Sequence, residues 1–93
     1  MELGKTHYVN GQRIWELNGS CLTYFYKSGK IKAKGDYING QMQGKWLFYR
    51  ETGQLGQIGH LKDDIKDGSW LRYDINGELE YEAEFVAGKL IKR

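Results

Sequence analysis

The chain has no proline, a single cysteine, two histidines and no long apolar run. Each shortage excludes something. One cysteine, Cys21, permits neither an internal disulfide nor a thiolate metal cluster, and fits a reducing compartment. No window approaches the 18 or so apolar residues of a membrane-spanning helix, and the start Met1-Glu2-Leu3-Gly4-Lys5 has no apolar stretch of signal-peptide type. These features read as a soluble, cytoplasmic protein. Charge of either sign is scarce in excess: 14 Lys and Arg against 12 Asp and Glu leave +2, too little to argue for nucleic acid. Ninety-three residues leave room for one domain.

What is abundant is glycine, 13 residues, roughly twice the usual 7%, together with 14% aromatic residues. The glycines recur at a period of 24. Gly29, Gly53 and Gly77 share a column, preceded four residues earlier by Phe25, Tyr49 and Tyr73 and followed two later by Ile31, Leu55 and Leu79. Trp46 and Trp70 share another column, as do Tyr37, Leu61 and Phe85, while Gly35 and Gly59 meet Ala83. Within each unit apolar and polar residues alternate, the signature of strands rather than helices. Asn10-Gly11, Asn18-Gly19, Asn39-Gly40, Asp67-Gly68 and Asn76-Gly77 supply tight turns. The pattern predicts an all-β fold: an antiparallel meander of β-hairpin repeats in one elongated, single-layer sheet. About eight strands are expected, near 6–9, 12–17, 20–27, 30–38, 45–50, 54–61, 69–74 and 78–86.

Gly35-Asp36-Tyr37-Ile38-Asn39-Gly40, followed by Gly44-Lys45-Trp46-Leu47-Phe48-Tyr49 and Thr52-Gly53, resembles the MORN repeat, specifically its bacterial variant found in antitoxin-like proteins. The spacing recurs at 59–77 with Asp63-Asp64 replacing Asn-Gly, and the third copy lacks a following Gly-x-Trp. One domain is expected, with a divergent N-terminal cap at 1–23 and repeats at 24–46, 47–70 and 71–93. Within the cap, Tyr8-Val9-Asn10-Gly11-Gln12 looks like Tyr37-Ile38-Asn39-Gly40-Gln41. The resemblance implies hairpins, scaffolding, protein contact, sometimes lipid contact, and toxin neutralisation in the bacterial variant. It implies no catalysis.

The residues themselves offer no catalytic constellation. Cys21 has no histidine at local spacing, and His7 and His60 lie far apart with no third ligand suggested. No metal and no cofactor are expected. Trp46 and Trp70, with Leu22 in their column, read as a core ladder. Glu78, Glu80, Glu82 and Glu84 read as one acidic row, and Lys30, Lys32 and Lys34 hold the matching columns of the first full repeat, making the molecule a dipole. The chain is therefore read as a non-enzymatic protein-binding module, most concretely an antitoxin or immunity-type protein occluding a protein partner such as a basic toxin or effector. Its expected contacts are Glu78, Glu80, Glu82, Glu84, Arg72 and Tyr73. The alternative is a scaffold that self-associates or binds anionic lipid weakly through Lys30, Lys32 and Lys34.

Overall fold

In the computed structural model residues 3–92 are described; Met1, Glu2 and Arg93, the extremities of the expected cap and third repeat, lie outside them. Nine strands form one open antiparallel sheet: β1 (Trp15–Asn18), β2 (Cys21–Phe25), β3 (Ile31–Ile38), β4 (Gln41–Tyr49), β5 (Leu55–Lys62), β6 (Ile65–Lys66), β7 (Gly68–Tyr73), β8 (Leu79–Val86) and β9 (Lys89–Lys92). Their order is β1-β2-β3-β4-β5-β7-β8-β9, with β6 also on β5. Among the described residues there is no helix. The extents of 42 × 35 × 19 Å are those of a sheet without a second layer.

The turns explain the meander. At one end of the sheet the central residues Asn39-Gly40, Asp63-Asp64 and Ala87-Gly88 all have positive φ, between 50° and 86°, the backbone that a two-residue hairpin loop requires. At the other end Gly29, Gly53 and Gly77 close longer turns in which each glycine N–H donates to the carbonyl three residues back, Tyr26, Arg50 and Asp74. Consecutive hairpins are stapled to one another: Tyr26 Oη donates to Tyr49 O (2.6 Å) and Arg50 Nη2 to Tyr73 O (2.8 Å).

The expected strands differ from the observed ones at both ends. Residues 6–9 form no strand; only a bridge joins His7 and Arg13. Tyr8 N donates to Gln12 O and Gly11 N to Tyr8 O, the pattern of the Tyr26–Lys30 turn. The 8–12 segment is thus the counterpart of that turn, not of Tyr37–Gln41, and Tyr8 Oη donates to Phe25 O as Tyr26 does to Tyr49 O. Past Gly88 the chain forms an additional strand, β9, paired with β8. The strand expected from residue 69 is preceded by a short β6 and broken at Asp67, where Gly68 takes φ +115°.

The core is one cross-strand row. Leu22 pairs with Gly35, Gly35 with Trp46, Trp46 with Gly59, and Trp70 with Ala83. Leu22 and Trp46 are 0% exposed, Ala83 1% and Trp70 8%. Burial this complete in a single layer requires each indole to lie flat on the sheet. The missing side chains make that possible: a Cβ at Gly35 would come within 2.3 Å of the Trp46 ring, and one at Gly59 within 2.5 Å of the Trp70 ring. The indole N–H groups donate back to the sheet, Trp46 to Asp36 O and Trp70 to His60 O, both at 3.0 Å. The expected tryptophan ladder is present, and Leu22 belongs to it.

Candidate binding surface

Strict alternation would divide each strand evenly between two faces, but a bulge in every repeat disturbs it. Tyr24 pairs with Ala33 while Phe25 pairs with Ile31, so Lys32 is left unopposed. The same shift leaves Gly56 unopposed on β5 and Glu80 on β8. An inserted residue lies on the same side as its neighbour. Lys32, Gly56 and Glu80 therefore join Ala33, Gln57 and Tyr81 on the tryptophan face, and Ile31, Leu55 and Leu79 pass to the reverse face with Phe25, Tyr49 and Tyr73.

Phe48 is the centre of the tryptophan face. Its ring stacks between Trp46 (6.2 Å, 30°) and Trp70 (5.8 Å, 26°). A hollow lies on either side of it: one of about 270 Å³ against Tyr24, Lys32, Ala33 and Met42, and one of about 190 Å³ bounded by Tyr26, Arg50, Gly56, Gln57 and Arg72. Cations surround these rings. Lys32 Nζ stands 5.7 Å from the Tyr26 ring, Lys66 Nζ 4.7 Å from Trp70 and 4.8 Å from Phe85, and the Arg72 guanidinium 5.0 Å from Tyr81. Glu80 is the carboxylate the bulges bring to this set, 3.0 Å from Arg72 Nε, both side chains about half exposed. The face is consequently aromatic and net basic.

The expected acidic row is not a row. Glu78 precedes β8 and its backbone N–H donates to Asp74 Oδ1 (2.9 Å). Glu80 turns to Arg72 on the tryptophan face, and only Glu82 and Glu84 remain on the reverse face, lining a shallow hollow with Ser69 and Lys92. The lysines divide in the same way. Lys30 lies in the turn with Nζ 3.5 Å from Thr52 O, Lys32 reaches Tyr26, and Lys34 stays on the reverse face between Thr23 and Leu47. Arg72 and Tyr73, adjacent in β7, face opposite ways. For Lys32 and Glu80 the cause is the bulge, which has no signature in an alternating sequence; Lys30 and Glu78 lie outside the strands, and Arg72 and Tyr73 part by simple alternation. Arg50 and Lys66 were not anticipated; the signal available was their columns, Tyr26/Arg50/Asp74 and Met42/Lys66/Leu90, whose chemistry changes from copy to copy.

On the reverse face one register row reads Lys34, Leu47, Ile58, Leu71, Glu82. Three half-buried aliphatic residues are flanked by opposite charges, each two strands from Ile58. Two groups titrate abnormally. Burial, then the neighbouring Tyr37 and Asp64, push the Tyr24 phenol above its ordinary value, and a 2.7 Å hydrogen bond from Met42 N–H holds the Asp64 carboxyl below its own. His60 Nδ1 lies 3.1 Å from Ser69 O, and Cys21 is half-buried. Among the described residues no three His, Cys, Asp or Glu side chains cluster as metal ligands, and no helix is long and apolar enough to cross a membrane.

The molecule is an open repeat sheet with shallow hollows on its tryptophan face. The comparisons agree at that level. The family described as MORN repeat variant matches residues 21–39 and 66–87. No curated protein and no solved structure matches the chain. MORN repeats are non-catalytic repeats generally associated with binding protein or lipid. The match does not single out the antitoxin type.

Proposed function

We propose that the chain is a non-enzymatic protein-binding module that holds its partner on the tryptophan face, neutralising it by occlusion in the manner of an antitoxin or immunity protein. The observation that supports this reading is the Phe48 centre. It is a half-buried aromatic ring, locked by stacking on two buried indoles, between two hollows and within a surround of Lys32, Arg50, Lys66 and Arg72. A rigid aromatic anchor in a charged surround is the composition of tight interfaces. The net basic charge of this face favours an acidic patch on the partner, and a basic partner would use Glu82 and Glu84 on the reverse face. The test is capture of proteins from the native source by the wild type, Phe48→Asp and Leu71→Asp. The expected result is one stoichiometric protein lost by Phe48→Asp and kept by Leu71→Asp, toxic when expressed alone and harmless when co-expressed. Equal capture by both variants, or none by the wild type, overturns the reading.

The second reading, self-association, is favoured by the Lys34–Leu47–Ile58–Leu71–Glu82 row. A two-fold axis along β5, above Ile58, would set Ile58 on its own copy, Leu47 on Leu71 and Lys34 against Glu82, with two sheets about 10 Å apart. Asp36 would then face Glu84, which has Lys92 as its register neighbour. Light scattering after size exclusion tests it. A dimer broken by Lys34→Glu and restored by Lys34→Glu with Glu82→Lys supports this packing; a wild-type monomer refutes it.

A further inference from the structure

The hollow on the Arg72 side of Phe48 has a chemistry of its own. Arg50 lines it with a half-buried guanidinium whose one hydrogen bond goes to a backbone carbonyl, Tyr73 O, through Nη2. Its Nε is buried with no hydrogen-bond partner. No carboxylate pairs with Arg50 among the described residues. A half-buried cation with its Nε out of reach of water and one neutral acceptor is under-compensated, and an anion reaching the hollow gains from its charge. Arg72 closes the opposite side, its charge shared with Glu80 at 3.0 Å. Two guanidinium groups against one carboxylate leave a net charge of about +1. The floor is the Gly56 bulge, and the Phe48 and Tyr26 rings form an apolar wall.

From these features we infer that the hollow binds a carboxylate carried on an apolar or aromatic body. The inference rests on the protein-binding reading for its source, an aspartate, glutamate or chain end of the partner. The charge selects the class. One uncompensated guanidinium matches a monoanion, and its planar donors match the two oxygens of a carboxylate. A phosphate dianion would bring a second negative charge toward Glu80 with no further cation to meet it. The volume of about 190 Å³ is several times the roughly 30 Å³ share of one water, enough for a carboxylate and a ring behind it. The sites arise because two aromatic columns change in the later repeats: Tyr26 becomes Arg50 and Phe48 becomes Arg72 one period on, and the turn of the sheet brings those two replacements to one hollow.

The experiment is a titration of ¹⁵N-labelled protein with benzoate, benzamide and phenyl phosphate, following the arginine Nε–H resonances. Benzoate is expected to shift the Arg50 and Arg72 signals saturably, with a Kd in the millimolar range that suits a ligand of its size. Benzamide, of the same shape without the charge, shifts neither. Glu80→Gln tightens benzoate by about threefold, because one negative charge leaves the rim. Gly56→Val keeps both arginines and fills the floor, where a Cβ meets Arg50 Cγ at an ordinary 3.5 Å; an amide spectrum matching wild type away from the hollow checks its fold, and it no longer binds. Benzoate binding unchanged in Gly56→Val, benzamide shifts equal to those of benzoate, or tighter binding of phenyl phosphate would each overturn the inference. Absence of benzoate binding with Phe48-dependent capture intact removes this hollow and leaves the protein-binding reading; benzoate binding without any captured protein does the reverse.

Discussion

Gly35→Ala is a substitution of one methyl group that the sheet should not accept. Its Cβ would lie 2.3 Å from the Trp46 ring, against the 3.5–4.0 Å of a comfortable carbon contact, so the indole must lift by more than about 1 Å. Trp46 is 0% exposed, stacks on Phe48 at 6.2 Å and donates to Asp36 O at 3.0 Å, and lifting the ring disturbs all three relations. Overpacking of this kind costs about 1–3 kcal/mol and the indole hydrogen bond about 1 kcal/mol, offset by the roughly 0.5–1 kcal/mol that alanine gains over glycine in a strand. The net is a loss of about 1–3.5 kcal/mol, centred near 2, which at a urea slope of about 1–1.5 kcal/mol per molar moves the midpoint down by roughly 2 M. Gly59→Ala, 2.5 Å from the Trp70 ring, should behave alike, whereas Gly56→Ala, whose nearest contacts are at 3.5 Å, should be neutral or slightly stabilising. In a Trp46→Leu background the Gly35→Ala penalty should fall close to zero. A Gly35→Ala midpoint within experimental error of wild type, or a penalty that persists without the indole, would refute this account of the core.

Two further outcomes follow from the turns. Ala87 is held at φ +50° where the equivalent hairpins use Asn39 and Asp63, and an L residue without a local hydrogen-bonding side chain is strained there. Ala87→Asn should raise stability by about 0.5–1 kcal/mol in urea unfolding, and a loss would show that the position is set by something other than the turn. Asp64 has a folded pKa below its ordinary 3.8, so its contribution is fully present above that value and is lost as pH falls through the lower folded value. The stability difference between wild type and Asp64→Asn should therefore stay constant from neutral pH to about 5 and narrow below 3.8; a difference flat across the whole range would contradict it.

Strand pairing and turn placement were legible because they depend on side-chain type at fixed spacing. Asn39-Gly40 tolerates positive φ, and the alternation from Lys30 to Tyr37 fixes which residues are interior to the sheet at Ala33 and Gly35. The N-terminal turn was misplaced because Asn10-Gly11 resembles a two-residue hairpin loop, whereas Tyr8 and Gln12 close around it as Tyr26 and Lys30 do. β9 was not anticipated because Lys89-Leu90-Ile91-Lys92 places two aliphatic residues in succession, without alternation, and all four are exposed. The acidic and basic rows failed for a different reason. A bulge needs an extra residue of no particular type, and Lys32, Gly56 and Glu80 have nothing in common as side chains.

The same bulges separate what holds the sheet from what varies on it. Positions that build the core repeat almost unchanged: Gly35 with Gly59, Trp46 with Trp70, and the turn glycines 29, 53 and 77. Positions around the Phe48 hollows differ in every copy: Tyr24, Phe48 and Arg72; Tyr26, Arg50 and Asp74; Lys32, Gly56 and Glu80. Alternation alone brings the first two of these columns, as one set with the parity of Trp46 and Trp70, to the tryptophan face. The extra residue brings the last column round to join them, so three variable positions per repeat surround an anchor that the invariant ones hold rigid. Altering a variable position such as Glu80 changes the charge presented to a ligand and leaves the indole packing alone, while altering Gly35 does the opposite. On the proposed reading, recognition and stability are thereby carried by different columns of one 24-residue unit.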